Sequence, residues 1–342
     1  MQRRKFIHAI GLTALATGVA ATKPAFGKER FRISIDTNPS HFRNKTVERF
    51  AAELTKRVDV FDITIYPSGQ LFADRDIPKA LRQGAVEMGV PGLWQLDGYA
   101  PEASLPSLPM FFGIPQEQIG PLIGGNVGKL ISNELGKALQ VHMPGQWLNL
   151  GSTSTFAVKP IKSFGDYKGL KIRYPGGISS ATVLRELGAN PVLIPYPDLP
   201  IALSQNTVDA VLSSNVSIAS AKLWDSGLKY AFLDNQFYAY YAPMINAAFW
   251  NKQSAEIKKA ITESWAIAVA EGQSIADESQ RKAIEMMVKD HGLQVSSPTE
   301  SELAQIRAKV ILVQPDIVKK MKMNDTLVQN VFSELKKMGI KY

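Results

Sequence analysis

The feature that most constrains the fold of this chain is an order of secondary structure that occurs twice. In the first half, apolar residues alternate with polar ones from Phe31, as in a strand, and then recur at helical spacing over 47–58. The same criteria predict a strand, a helix and a strand over 61–65, 76–83 and 86–90. The first half therefore predicts a β-α-β-α-β unit.

The second half repeats this order without repeating the residues. Strands are predicted over 170–173, 191–194 and 208–212, with helices between them over 179–187 and 199–205. Alternating strands and helices favour mostly parallel sheets covered by helices. We therefore predict an α/β protein with two lobes and a cleft between them.

The length of the chain also favours two lobes. About 315 residues follow position 27, which is more than one hydrophobic core usually organises. We expect the N-terminal lobe to comprise 28–150 and 240–280, and the C-terminal lobe to comprise 151–239 and 281–342.

A proline-free stretch from about 254 to 290 predicts a long helix. Apolar residues recur there at steps of four, namely Ile257, Ile261, Trp265 and Val269. At 1.5 Å per residue this helix reaches on the order of 50 Å, which is enough to contact both lobes. The alternative is two shorter helices that meet at Gly272.

Residues 1–27 have the order of a signal peptide. Three basic residues precede an uncharged run over 6–22, which is too short and too rich in small residues to span a membrane. The basic residues are Arg3, Arg4 and Lys5, and they resemble a twin-arginine signal, with a general secretory signal as the alternative. Either signal predicts a periplasmic protein.

The cleavage site of this signal is predicted just before Lys28. Ala25 and Gly27 have the spacing of an Ala-x-Ala-like site. Removal of 1–27 takes away four of the 39 basic residues and no acidic one, which leaves 35 basic against 31 acidic residues. The mature net charge is then +4, half of the +8 of the whole chain. No dense basic stripe remains, so we expect no nucleic-acid partner.

The residue types used in catalysis and metal binding do not form a known motif. The chain has no cysteine, and the histidines after residue 27 lie far apart, at His41, His142 and His291. The glycines over 124–128 lack the spacing of a phosphate loop and are interpreted as a loop and a helix start. No nucleophile elbow occurs. We therefore expect no metal, no cofactor and no enzymatic activity.

An ordered set of short motifs identifies a family. In the second half these are Lys168-Gly169-Leu170-Lys171-Ile172-Arg173, Pro175, Gly188-Ala189, Ala202-Leu203-Ser204-Gln205 and Val208-Asp209-Ala210. In the first half they are Tyr66-Pro67-Ser68-Gly69-Gln70-Leu71, Asp74-Arg75 and Gln83-Gly84-Ala85-Val86-Glu87-Met88, followed by Lys159-Pro160-Ile161. The set resembles the substrate-binding subunit of tripartite ATP-independent periplasmic (TRAP) transporters, of the dicarboxylate-binding DctP type.

The resemblance implies a fold and a function. It implies two α/β lobes that close on a ligand around hinge strands, with a long helix across both. It also implies a periplasmic receptor that captures a small organic acid, a C4-dicarboxylate or a related mono- or keto-acid, and delivers it to TRAP membrane subunits. The alternatives are a receptor that feeds a sensor kinase and, with less support, a secreted enzyme. A monomer is expected.

Arg173 matches the arginine that holds the substrate carboxylate in this family. It lies at the predicted carboxyl end of a strand, where open α/β sheets bind ligands. Its guanidinium offers a planar fork that fits a carboxylate. Gly176 and Gly177 then precede a helix whose first N–H groups can also face an anion. The alternative is that Arg173 pairs with a neighbouring carboxylate and only stabilises its lobe.

Two positions depart from the family pattern. Many members have a second arginine where this chain has Thr153, and an asparagine where it has Ser213, with Ser214 and Asn215 next to it. A second charged clamp is therefore missing. We expect a neutral or aromatic second half of the pocket.

The remaining site candidates follow from alignment with the family's cleft. Trp94 falls in its cleft-lining loop, and Tyr196 aligns with an aromatic cleft residue, with core packing as the alternative for both. Tyr238 represents a cluster of aromatic residues at a predicted hinge crossing, 237–241, in which the inward-facing tyrosine is not determined. Asp36 ends the first strand and is expected to supply a polar contact, with helix capping as the alternative.

Overall fold

The computed structural model describes residues 27–342, so the predicted signal peptide, apart from Gly27, lies outside the described residues. The strands and helices occur in the following order along the chain: β1 (Glu29–Ser34), α1 (Phe42–Arg57), β2 (Phe61–Tyr66), α2 (Ile77–Arg82), β3 (Met88–Gly89), α3 (Gln116–Leu122), α4 (Gly128–Leu139), β4 (Val141–His142), β5 (Leu148–Ala157), β6 (Lys171–Tyr174), α5 (Ile178–Glu186), β7 (Asn190–Leu193), α6 (Leu199–Ser204), β8 (Ala210–Ser213), α7 (Asn215–Ser220), β9 (Tyr230–Tyr241), β10 (Met244–Asn246), α8 (Ala247–Asn251), α9 (Ala255–His291), β11 (Gln294–Ser296), α10 (Glu300–Val310), α11 (Gln314–Met321) and α12 (Asp325–Lys337).

The first sheet has the strand order β2-β1-β3-β10-β4. Strand β1 pairs in parallel with β2 and β3, and its alternate residues Phe31 and Ile33 are fully buried. Helices α1 and α2 form the crossovers that such parallel pairs require. The β-α-β-α-β unit predicted for the first half is thus confirmed.

The second sheet has the strand order β11-β9-β5-β8-β6-β7. Strand β6 pairs in parallel with β7 and β8, as predicted, whereas β5 pairs antiparallel with both β8 and β9. In the first sheet, β10 is also antiparallel to its neighbours. Both sheets are therefore mixed: five of the nine strand pairings of the described residues are parallel, as expected, and the four that involve β5 or β10 are antiparallel. Two predicted α/β layers, each built on a sheet, are confirmed.

Two connections join the sheets and define the hinge. Strand β4 of the first sheet ends at His142 and β5 of the second begins at Leu148. Strand β9 of the second sheet ends at Tyr241, which bridges to Gly92, and β10 of the first sheet begins at Met244. Because both connections are short, the antiparallel pair β5–β9 links the two layers directly.

The helix predicted over 254–290 is one continuous helix, α9, of 37 residues. The alternative break at Gly272 does not occur. A Cβ at this position would lie 3.2 Å from Thr46 Oγ1 and 3.3 Å from Phe42 Cζ, so the glycine allows α9 to approach α1 closely. Helix α9 also packs against α7 and β5, and therefore contacts both layers.

The C-terminal helices share a core with the first layer. Ile317 of α11 and Val331 of α12 belong to the buried cluster that contains Leu81 of α2 and Leu135 of α4. The predicted assignment of 281–342 to the C-terminal lobe, and the other lobe boundaries, stay predictions.

The glycine-rich segment predicted as a loop and a helix start is a kinked helical connection. Helix α3 continues into a π-helical turn, Ile123–Val127, in which Gly125 has non-helical backbone angles, and α4 then begins at Gly128. Within residues 27–342, no helix is long and apolar enough to cross a membrane.

Candidate ligand-binding site

A cavity of about 50 Å³ lies between the two sheets, at the carboxyl ends of their strands. Most of the predicted site residues line it: Asp36, Trp94, Thr153, Arg173, Tyr196, Ser213 and Ser214. Ligands of open α/β sheets bind at such strand ends. The structure therefore brings together side chains that are distant in the sequence.

Arg173 is buried at the end of β6, with 3% of its surface exposed. Its Nε donates to the carbonyl of Ile194 at 2.9 Å and its Nη1 to the carbonyl of Leu212 at 3.2 Å. No carboxylate of the described residues pairs with it, so the alternative of a structural ion pair has no support in the part of the chain described. Burial lowers the pKa of Arg173 to about 10, which still leaves it cationic at neutral pH.

Tyr196 and Trp94 form aromatic walls of the cavity. The Tyr196 hydroxyl donates to the carbonyl of Ser217 at 2.8 Å, which fixes the ring, and burial raises its pKa to about 12. Trp94 packs edge-to-face on Phe237 and Tyr241, with centroids 6.0 and 5.2 Å away. Gly176 and Gly177 permit this position because a Cβ on either would lie 3.0 and 3.4 Å from Trp94 atoms. Both aromatic predictions are consistent with this placement.

Three hydroxyl residues of the second layer line the cavity. Ser213 ends β8, and Ser214 caps α7 by accepting the backbone N–H of Ser217 at 3.2 Å. Thr153 of β5 donates to the carbonyl of Phe237 at 3.1 Å. The cavity thus has hydroxyls where many family members have an arginine and an amide.

Two predicted site residues face away from the cavity. Tyr238 lies on the opposite face of β9, where its hydroxyl donates to the carbonyl of Ile114, because side chains alternate along a strand. Tyr241, three positions further along β9, lies on the other face of the strand and lines the cavity. Asn215 donates to the carbonyl of Gln280 at 3.2 Å and joins α7 to α9. Neither Tyr238 nor Asn215 is among the side chains that line the cavity.

A buried charged cluster on the first layer was missed by the sequence analysis. Arg43 of α1 is fully buried and donates to the carboxylates of Asp36 and Asp74, the latter at 3.0 Å. Its guanidinium lies 4.2 Å from the centre of the Tyr241 ring. The signal was available: Arg43 lies four positions before Val47 and so falls on the buried face of α1. Asp36 therefore has an ion-pair partner in addition to its place at the cavity.

Hydrogen bonds across the cleft hold the two layers together. Asn38 donates to the carbonyl of Ser220 at 3.1 Å, and Gln95 donates to the carbonyl of Pro175 at 3.1 Å. His41 contacts Ser217 Oγ through Nε2 at 2.9 Å. These contacts describe a closed arrangement around the cavity.

The described residues contain no group of three or more His, Asp or Glu side chains that could hold a metal ion. The cavity presents a buried guanidinium on one wall and hydroxyls and aromatic rings at its centre. On the other wall lie the carboxylates of Asp36 and Asp74, which share the single cation Arg43. Such a site can bind and orient an anion.

Residues 33–321 match the model of bacterial extracellular solute-binding protein, family 7. The chain belongs to this family. The matched residues include every strand of both sheets except β1, which the match enters at Ile33. The match confirms the resemblance to the TRAP solute-binding family that the sequence motifs indicated.

Curated relatives cover most of this family 7 protein. The 2,3-diketo-L-gulonate-binding periplasmic protein of Escherichia coli is 27% identical over 300 residues, which are 86% of this chain and 88% of the relative. The C4-dicarboxylate-binding periplasmic protein of Rhodobacter capsulatus is 26% identical over 296 residues, 85% of this chain and 87% of the relative.

A solved structure supports the two-lobed fold. The sugar acid binding protein of Advenella mimigardefordensis, in complex with galactonate, superimposes with a TM-score of 0.84 at 21% identity. The match covers 91% of this chain and 99% of that protein. The predicted fold, two α/β lobes with hinge strands and a long helix, is confirmed.

Proposed function

We propose that this protein is a periplasmic receptor that binds one small organic acid through Arg173 and delivers it to TRAP membrane subunits. One observation carries the proposal: Arg173 is a buried cation without a carboxylate partner among the described residues, at the edge of a cavity between two layers. A buried charge is costly unless it is paired. A ligand carboxylate supplies the missing partner.

The chemistry of the relatives agrees with an acid. The names of the two curated relatives specify a diketo-gulonate and C4-dicarboxylates, and the solved structure contains galactonate. All three are carboxylates with oxygen-rich second halves. What differs among them is the part of the ligand that lies away from the first carboxylate.

The opposite wall favours a neutral second half. Asp36 and Asp74 line the cavity with only Arg43 between them, and Thr153 supplies a hydroxyl instead of a cation. Arg75 also lines the cavity, but its side chain is 62% exposed and lies 3.8 Å from Asp76. A hydroxyl or amide on the ligand can donate to these carboxylates, whereas a second carboxylate is repelled by them.

A matched set of ligands tests this function. Isothermal titration with succinate, its monoamide succinamate and its diamide succinamide compares molecules of one size with two, one and no carboxylates. We expect succinamate to bind at least tenfold more tightly than succinate and succinamide not to bind. Equal affinity for succinamide would overturn the role of a carboxylate. Tighter binding of succinate would retain the receptor and refute only the neutral second half.

The remaining features of the proposal rest on the family. We infer that the mature chain starts near Lys28, that it is a monomer and that it has no catalytic activity. Intact mass of the periplasmic form tests the cleavage site, and a double Arg3→Lys, Arg4→Lys variant retained in the cytoplasm would support twin-arginine export. Conversion of the bound acid to a product would overturn the non-enzymatic function. Unchanged uptake of the acid in a strain without this protein, together with loss of the transcriptional response to the acid, would favour the sensor-kinase alternative.

A further inference from the structure

The segment just before α1 contacts α7 across the cleft. Asn38 and Ser40 both donate to the carbonyl of Ser220, at 3.1 and 3.3 Å. His41 contacts Oγ of Ser217 through Nε2 at 2.9 Å. The segment belongs to the first layer, whereas α7 follows β8 of the second sheet. Opening of the cleft would therefore break these contacts.

The two hydrogen bonds of the His41 ring define its protonation state. Nδ1 accepts the backbone N–H of Arg43 at 3.0 Å and so caps α1. Because an imidazole nitrogen that accepts carries no proton, Nε2 carries it and donates to Ser217. A second proton would have to occupy Nδ1, where the N–H of Arg43 already points. The contact across the cleft therefore requires a neutral imidazole.

The burial of His41 also disfavours a charged ring. The side chain is fully buried, and the rings of Tyr196 and Tyr241 pack edge-to-face on it with centroids 5.7 and 6.4 Å away. Tyr196 belongs to the second layer, so part of this burial exists only while the cleft is closed. Burial lowers the pKa of His41 to about 3, in agreement with the hydrogen bonds.

The charged groups around His41 do not offset its burial. Two cations, Arg43 on α1 and Arg173 on β6, interact electrostatically with the tyrosines that pack on the ring. The carboxylates of Asp36 and Asp74 accept from Arg43. Helix α7 has no charged residue, and no carboxylate of the described residues forms a hydrogen bond or an ion pair with His41. A proton on this ring would therefore add an unpaired charge to the closed form.

We propose that the contact between His41 and Ser217 is a proton-sensitive latch, which favours the closed cleft when His41 is neutral and the open cleft, with release of the acid, when His41 is protonated. The inference rests on the proposed function, because capture of the acid is the event that closes the cleft. In the open form α7 and Tyr196 no longer cover the ring, and water reaches it. Its pKa then returns toward 6.5, so protons bind the open form preferentially.

The affinity for the acid should therefore fall as the pH falls. Because the pKa of His41 is lowered in the closed form, its contribution to closure is complete above pH 6.5 and is lost below it. With a pKa of 6.5 in the open form and about 3 in the closed form, the open form gains a factor of about 25 between pH 7 and pH 5. Burial that persists in the open form reduces this factor, so we expect a fall of about 5- to 25-fold.

Isothermal titration of the mature protein with succinamate and with succinate, at pH 7 and at pH 5, measures this coupling. His41→Gln replaces the ring by a neutral side chain that does not titrate. It should retain only the pH dependence of the ligand's own carboxylates, which every variant shares. His291→Gln changes an exposed histidine outside the cleft and should keep the wild-type pH dependence.

The outcomes of this titration separate the latch from the receptor. The same pH dependence in wild type and in folded His41→Gln would overturn the latch and retain the receptor. Failure of both acids to bind at either pH would contradict the proposed function and the latch with it.

Nuclear magnetic resonance of the imidazole protons gives a second measurement that does not require a His41 variant. Three histidines follow residue 27, so His142→Gln and His291→Gln assign the His41 signal by elimination. We expect His41 to titrate with a pKa between about 5 and 6.5 in the ligand-free protein and to stay neutral at pH 5 in the protein saturated with acid. A ring that titrates identically with and without the acid would overturn the proposal.

Discussion

Replacement of Arg173 by alanine tests the chemistry of the organic-acid site. The guanidinium uses Nε and Nη1 on two carbonyls and keeps its remaining N–H groups for a ligand. Charge-assisted hydrogen bonds contribute about 1.5–3 kcal/mol each, and truncation of a buried charge pair costs about 2–5 kcal/mol of binding. At about 1.4 kcal/mol per factor of ten, the dissociation constant should rise between about 30-fold and several thousand-fold.

The assay is isothermal titration with the acid of highest affinity for the wild-type protein. Arg173→Lys keeps the charge but loses the planar fork, and it should fall between wild type and Arg173→Ala. Arg57→Ala removes an exposed cation that pairs with Glu263 far from the cavity, and it should bind as wild type does. Wild-type affinity in a folded Arg173→Ala protein would refute the assignment of the carboxylate to this residue.

Three further predictions concern stability, measured by urea unfolding. Gly272→Val should lower the free energy of unfolding by about 1–3 kcal/mol because the new atoms overpack the contact between α9 and α1. Ala270→Val, on an exposed part of the same helix, should change the free energy of unfolding little. Equal effects of the two substitutions would show that the close approach of the helices is unimportant. Arg43→Met leaves two buried carboxylates without their partner and should cost about 3–5 kcal/mol, while Arg49→Met on the surface should be nearly neutral; a small effect of Arg43→Met would contradict the cluster. Burial lowers the pKa of His41 from 6.5 to about 3. Between these two pH values the unfolded state therefore binds a proton at His41, whereas the folded state does not. The stability that His41 contributes is complete above pH 6.5 and is lost as the pH falls, by about 2 kcal/mol at pH 5; a His41→Gln variant with the same loss between pH 7 and 5 would refute this.

The order of strands and helices was predictable because the spacing of apolar residues within each segment indicates a strand or a helix. Alternating apolar residues predict strands β1 and β2, and apolar residues at helical spacing predict α1. The repeat of this order of strands and helices in the second half predicts the second layer. The antiparallel direction of β5 and β9 was not predictable in this way. Their pairing joins residues that are about 90 positions apart, such as Leu148 and Tyr241, and no local pattern encodes such a contact.

Glycines show the same limit. Gly177 was expected to precede a helix, and it does so with a φ of 87°, which favours glycine. Gly272 was considered as a helix break, yet its function is to allow contact with Thr46, which is more than 200 positions away in the sequence. Only the tertiary structure separates these two uses of glycine.

The site was predictable where strand ends determine it. Arg173 and Asp36 were expected at the ends of predicted strands and Ser213 was expected from the family pattern, and all three line the cavity. Tyr238 was chosen from a run of aromatic residues in which both faces of the strand are apolar. The alternation of side chains along a strand therefore does not show whether the odd-numbered or the even-numbered residues face the cavity. Arg43 was not considered in the sequence analysis, because its carboxylate partners Asp36 and Asp74 lie on other segments of the chain and no motif links the three residues.

Native mass spectrometry of the protein purified from the periplasm tests the central claim most directly. The account predicts one small organic acid per chain, released intact on denaturation and absent from the Arg173→Ala protein prepared in the same way. A ligand without a carboxylate, or the same acid retained at full occupancy by Arg173→Ala, would contradict it.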